Sequence, residues 1–384
     1  MTTVRVPVSH DVLVWAIQRT QKSLKELAKV SDLRKIEEWL DGTTQPTLNQ
    51  ADTLAKKAGI PFGYLVLPAP VDTTPDLPDF RTRKNSRIKS VSPELEEQIA
   101  LCQERLDWYI DNVAEYGTPG FKDVASATTG NAPRELADIM RATVGWEPGR
   151  PVGTRTHINV LADALEDCGV LVMKSSYVGN RTNARLDSAE FSGFTLIKAG
   201  FALIFINTRE TATANLFSLA HEFGHVLLGK QGVSSSEEHN SVERWCNTFA
   251  AQFLAPQELL IKQMPADHEV ALDTVRGLAA KFGVSVEMMA WRLTDTGMLE
   301  RAQARALIGE WNAIIHHNND KDRKNTGGLP PHINARAKLG TNFLSAIAEA
   351  YESGAISYRD AARFTGYKKV DSLENALGLH PQGV

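Results

Sequence analysis

Residues 219–228 read Leu-Ala-His-Glu-Phe-Gly-His-Val-Leu-Leu, and the spacing of their two histidines decides the rest. His221 and His225 are four residues apart. On a helix that spacing places both imidazoles on one face, one turn apart. Two rings so placed can hold one divalent cation, with zinc the usual partner of nitrogen donors. Glu222 follows the first histidine and stands beside such a cation, where it can take a proton from water as the general base of a metallopeptidase. Thr211 or Thr213 can cap this helix, and Gly229 can end it. Leu216, Phe217, Ala220, Phe223, Leu227 and Leu228 give it a broad apolar surface, so it is expected to be largely buried. Two histidines and a glutamate inside a buried helix need partners, and a metal supplies one.

A zinc site of this type takes a third protein ligand and keeps one position open. The next polar cluster is Ser241-Val242-Glu243-Arg244-Trp245-Cys246-Asn247-Thr248-Phe249, running on to Phe253 and Pro256. Trp245, Phe249 and Phe253 repeat every four residues and define the core side of a second helix, capped by Ser241. Glu243 and Asn247 share a neighbouring face. Glu243 is the expected third ligand; its alternative is a solvated surface carboxylate. Asn247 is expected to orient a ligand or a backbone group from behind. Cys246 lies close enough in sequence to compete as a ligand, though a small buried apolar residue suits it better. His239, in the loop between the two helices, is a further competitor without a fixed scaffold.

His-Glu-Phe-Gly-His, then Glu243-x-x-Cys-Asn-x-Phe-Ala-Ala and Leu254-Ala255-Pro256, resembles the ImmA/IrrE family of zinc metallopeptidases. Leu77-Pro78-Asp79-Phe80-Arg81-Thr82 is similar to longer members of that family. So is Arg185-Leu186-Asp187 through Glu190-Phe191-Ser192-Gly193-Phe194 to Ile204-Phe205-Ile206-Asn207. The resemblance runs from the N-terminus to about residue 300. It implies zinc on His221, His225 and Glu243, catalysis by Glu222, and a regulatory protease acting inside the cell on a repressor or a toxin–antitoxin component.

The chain has 384 residues, 42% of them hydrophobic, and a formal net charge of −4. Its length suggests two or three domains of ordinary globular composition. The charge balance gives no overall attraction to nucleic acid, so any DNA contact needs a local patch. Cys102, Cys168 and Cys246 lie far apart in sequence and form no disulfide framework, which fits a reducing cytoplasm. No secretory signal and no membrane-spanning run is expected.

The expected fold is α+β and mostly helical. A zincin-like metallopeptidase domain at 93–300 is flanked by a helix-turn-helix-like domain at 1–70, a Pro-rich and basic linker at 71–92, and a linker with a small helical domain at 301–384. Residues 10–67 read as five short helices: His10–Arg19, Ser23–Ala28, Asp32–Leu40, Thr47–Ala58, and one after Pro61. Leu27-Ala28, Ile36, Trp39, Gly42, Pro46-Thr47 and Leu54 resemble Cro/C1-type repressors. The would-be recognition helix offers Arg34 and Lys35 for DNA but also carries three carboxylates, which oppose phosphate contact. Beyond 92, helices are expected at Pro93–Tyr116, Pro133–Val144 and Ile158–Asp167. Strand Val170–Met173 and a hairpin over Phe194–Ile206, turning at Lys198–Phe201, then precede the metal helix. Helices over Asp267–Met298 close the domain. His316-His317 is read as linker, because adjacent residues point apart. Helices at Ala335–Glu352, Tyr358–Thr365 and Asp371–Leu377 end the chain, with partner binding as their expected use.

Two functions follow: a zinc endopeptidase that cleaves or controls a partner protein, or an antitoxin or transcription regulator that binds a toxin or operator DNA and keeps the metal site for structure.

Overall fold

A computed structural model describes residues 4–20, 22–71, 91–114, 119–234, 241–264, 270–318 and 331–379. His239, most of the basic linker and the 319–330 part of the second linker lie outside the described residues. The architecture is mostly helical α+β with one small sheet.

Five short helices open the chain: α1 His10–Arg19, α2 Leu24–Leu27, α3 Ile36–Leu40, α4 Leu48–Ala58 and α5 Phe62–Leu65. Ser23 with Glu26, and Thr47 with Gln50, form full capping boxes, so α2 and α4 start where local chemistry puts them. The continuous helix expected from Asp32 to Leu40 is instead a 3-10 turn at Ser31–Leu33 followed by α3. Leu33 and Ile36 are both fully buried, and Lys35 between them, at φ −98° and ψ 18°, leaves helical geometry and divides the two elements. These helices enclose their own core. Arg19 ties that core to the next helix, α6 Pro93–Ala114. Its guanidinium forks onto the carboxylate of Glu96, one bond at 2.9 Å, and its Nε donates to the Ala58 carbonyl.

Helices α7 Pro133–Val144 and α8 His157–Asp167 lead into strands β1 Val170–Ser175, β2 Gly193–Lys198 and β3 Phe201–Asn207. β2 and β3 pair antiparallel through a turn in which Ala199 and Gly200 both take positive φ, as a two-residue hairpin of this hand requires. β1 lies parallel to β3 on the far side. Helix α9 Ala212–Leu228 follows, capped by Thr211 and closed by Gly229 in the left-handed conformation. A strand with no sequence signal, β4 Gly232–Ser234, pairs with the start of β2, giving the order β1-β3-β2-β4. Then come α10 Ser241–Leu254, α11 Gln257–Gln263, α12 Leu272–Phe282, α13 Val286–Asp295 and α14 Arg301–Asn318. His316 and His317 therefore belong to the end of a helix rather than to a loop. The expected span Asp267–Met298 resolves into α12 and α13.

Alternation along the strands builds two cores. Val170, Val172, Ala202, Ile204 and Ile206 join α8, α9, α10 and α12–α13 on one face. Leu171, Met173, Phe194, Leu196, Leu203 and Phe205 join α6 and the last four helices on the other. Those helices are α15 Pro331–Leu339, α16 Thr341–Glu352, α17 Tyr358–Thr365 and α18 Val370–Leu377. Phe343 and Phe364 meet Trp108 of α6 at 5.7 and 5.1 Å between ring centres.

The single helix expected over Ala335–Glu352 breaks at Gly340, whose φ of 78° and ψ of 165° suit only glycine. A Cβ there would run into Glu166 Oε1. Glu166, buried at the end of α8, accepts from the amides of Val172 and Thr341 and so fastens α16 to the sheet. Burial raises its carboxyl to about 7. The folded chain then holds a proton that the unfolded chain releases near 4.5. Stability from this group is full below that value and is lost as pH climbs through about 7. Thermal unfolding between pH 5 and 7.5 should show the decline, at most about 3 kcal/mol. Glu166→Gln should flatten it; an unchanged slope would remove Glu166 as its source.

Candidate metal centre

Helices α9 and α10 cross at a glycine. A Cβ on Gly224 would sit 3.2 Å from Cys246 Sγ and 3.4 Å from Cys246 Cα, so only a bare backbone admits this approach without movement. Aromatic rings hold the crossing from the core side. Trp245, Phe249 and Phe253 stack along α10 at 5.5 Å spacings. Phe223 of α9 meets Phe249 and Phe253 edge-on at 5.9 and 5.7 Å.

The crossing brings three donor groups together. His221 Nε2 and His225 Nε2 are 3.2 Å apart. The Glu243 carboxylate reaches both, with Oε2 at 3.1 Å from His221 Nε2 and Oε1 at 3.3 Å from His225 Nε2. Separations of this size are the edges of a tetrahedron whose centre lies about 2.0–2.1 Å from each donor, the distance at which imidazole and carboxylate hold zinc. Behind the first ring, His221 Nδ1 donates to Asn247 Oδ1 at 2.9 Å, which leaves Nε2 as the free lone pair facing Glu243.

The electrostatics fit a cation. Burial works against charge on His221, yet the hydrogen bond and charge of Glu243 more than offset it and carry the imidazole above its ordinary value. Burial likewise pushes the Glu243 carboxyl up, and the hydrogen bonds of both histidines bring it well below the usual carboxylate range. His221 and Glu243 thus favour positive charge between them. A proton bridges two such groups; a divalent ion can bond to all three.

Cys246 lies with its sulfur within 4.8 Å of the histidine donors and completes a His-His-Cys group that can also hold a metal. Burial raises its thiol well above the ordinary value, and a metal takes the thiolate. Glu243, already ionised and directly between the rings, is the better third donor, with Cys246 filling the groove that Gly224 leaves.

Glu222 is fully buried on the sheet side of α9. Its Oε2 accepts from Thr195 Oγ1 of β2 at 2.7 Å, and the same hydroxyl lies 3.2 Å from the Glu222 carbonyl. Thr195 is the residue that sequence reasoning missed, because only the sheet register brings it over α9. Gly193, two residues earlier, leaves room for the same carboxylate. Arg292 is also fully buried; it donates to the Ala255 carbonyl and to Gln252. Arg34 and Lys35 are exposed in the N-terminal bundle, within a different core, and Lys35 pairs with Glu38 at 3.3 Å.

A cleft of about 670 Å³ opens onto His221 and Asn247, walled by Phe217, Arg244, Met288 and Trp291. Residues 165–294 match the Peptidase_M78 family, the IrrE N-terminal-like domain. The matched segment runs from the end of α8 to α13 and contains both crossing helices. The match supports the ImmA/IrrE resemblance and makes the segment metallopeptidase-like, a kind of protein that implies a metal and protein substrates. A comparison with curated proteins gives no match. No helix among the described residues is long and apolar enough to cross a membrane.

The Gly193 contact yields a direct test. A Cβ there would meet the Phe205 carbonyl at 2.9 Å and Glu222 Oε1 at 3.1 Å. Gly193→Ala should destabilise the fold by about 1–3 kcal/mol in denaturant unfolding, as overpacking does. A variant of unchanged stability would mean that the carboxylate is not held where it stands.

Proposed function

We propose that the chain is a zinc-dependent metalloendopeptidase-type regulator that cleaves or controls a partner protein. The carrying observation is the meeting of His221, His225 and Glu243 within 3.3 Å of one another. His221, His225 and Glu243 would hold the zinc, which when bound would polarise a scissile carbonyl and lower the pKa of water. Asn247 fixes the His221 ring so that Nε2 stays available to the ion. Glu222 takes the proton from the attacking water and passes it to the leaving nitrogen. Thr195 steadies the Glu222 carboxylate from behind without neutralising it. Buried, water-poor surroundings strengthen each of these interactions. The cleft beside His221 receives the polypeptide, with Phe217, Met288 and Trp291 offering apolar contact. The substrate in this reading is a repressor or a toxin–antitoxin component in the cytoplasm.

A second use of the chain draws on the N-terminal bundle. Its helix-turn-helix-like order and the exposure of Arg34 and Lys35 favour operator DNA as a partner, as in an antitoxin or transcription regulator whose metal site serves structure. The tie of Lys35 to Glu38 weakens that reading.

Metal analysis and a cleavage assay separate the two. Purified wild type and Glu222→Gln should both carry one zinc, and His221→Ala should carry none. Glu222→Gln should lower cleavage of the partner by about 10²–10⁴-fold. Full cleavage by that variant would overturn the mechanism. A partner bound equally by both chains and cut by neither would favour the binding reading. If DNA is bound, Arg34→Ala should reduce the salt slope of affinity by about 1, and an unchanged slope would remove Arg34 from the interface.

A further inference from the structure

A second cleft, of about 600 Å³, lies where the ends of β1 and β3, the start of α9 and one side of α15 meet. β1 and β3 are parallel, with Ser175 beside Asn207. Both strands therefore deliver their carboxyl ends to this crevice, the position at which parallel strands of open sheets receive ligands. Most of its lining residues are of polar type, Asn159, Lys174, Tyr177, Asn180, Asn215 and Lys338 among them; Glu210 is the one carboxylate among the described residues of the lining.

Lys174 is the unusual member. It belongs to a strand buried along its whole length, and only 8% of it is exposed. Its ammonium donates to Asn159 Oδ1 at 2.8 Å, and the charges of Glu166 and Asp163 act on it from a distance rather than through a contact ion pair. The nearby Glu166 carboxylate accepts from two backbone amides instead. An ammonium has three donors, and the one hydrogen bond to Asn159 engages only one of them, which makes its burial costly. Burial accordingly holds Lys174 down, at about 8. Lys338 faces the same space from α15, its ammonium 3.3 Å from Asn180 Oδ1 and also lowered by burial. The first turn of α9 completes the setting. Ala212 lines the cleft, and the N-terminus of this 17-residue helix presents amide donors and partial positive charge.

One buried and one half-buried cation and a helix N-terminus around one cavity form a receptor for concentrated negative charge. Two cations and a partly positive helix end favour the higher charge of a phosphate over the single charge of a carboxylate. The volume is that of a small-molecule site. We propose that this cleft binds a small phosphorylated ligand, a phosphate monoester of nucleotide or sugar-phosphate size, held by Lys174, Lys338 and the start of α9. The inference stands apart from the peptidase reading. It adds a link, because α9 carries His221 and Glu222 while α15 belongs to the helices on the opposite sheet face. Occupancy would fasten these two parts to each other.

The test is calorimetry and thermal unfolding of the full chain with inorganic phosphate, sulfate, adenosine 5′-monophosphate and glucose 6-phosphate. Each titration is repeated after chelation, which separates this cleft from phosphate on the metal. One ester should bind saturably and at least about tenfold more tightly than inorganic phosphate, with or without metal. Lys338→Met should weaken it about tenfold. Lys174→Met should abolish the ligand-induced rise in Tm, read against the variant's own ligand-free Tm. Should Lys174→Met not fold, Lys338→Met decides alone. Absence of saturable binding up to about 10 mM would overturn the proposal. So would equal affinity for sulfate and every phosphate, or binding indifferent to both substitutions.

Discussion

The crossing of α9 and α10 at Gly224 and Cys246 is the constraint on which the metal centre depends. With no Cβ on one helix and a small thiol on the other, the two backbones come close enough for a side chain of α10 to reach between rings of α9. Glu243 precedes Cys246 by three residues and Asn247 follows it, so the same helical face delivers a carboxylate to the front of His221 and an amide to its back. The four rings of Phe223, Trp245, Phe249 and Phe253 supply the apolar burial that keeps the crossing closed. A wider crossing would part the donors beyond the span of one cation.

Around that crossing the fold places charge where water is scarce and compensates it locally. Glu222 is fully buried, yet Thr195 meets it from β2. Glu166 is buried at the end of α8 and answered by two amides. Lys174 has one hydrogen-bond partner, Asn159, more distant carboxylates and a cavity. The contrast matters, since a protein retains an incompletely answered charge only against a free-energy cost.

Much of this was legible in residue spacing. His221 and His225 follow from the helical period, and Glu243 and Asn247 from the same period one helix later. The caps at Ser23, Thr47 and Thr211 fixed where helices begin. Thr195 was not legible, because its partner is set by β2 lying over α9 rather than by any local pattern. Nor was α11 or α14 anticipated, and β4 is too short to announce itself. The break at Gly340 hid inside a helical pattern, since its cause is the distant Glu166 carboxylate. One available signal went unused. Val170-Leu171-Val172-Met173 is a continuous apolar run, the mark of a strand covered on both faces, and it implied that something beyond α9 must pack on the sheet.

That covering is α6 together with the four helices after residue 330. Leu171, Met173, Leu203 and Phe205 share one continuous interior with Phe343, Ile347 and Phe364. The last fifty or so residues are thus a floor under the strands that carry α9, not a detachable tail. Lineages that shuffle sensor or adaptor modules onto such a fold could add to this end of the polypeptide, but could not swap it out without supplying another apolar slab of the same shape.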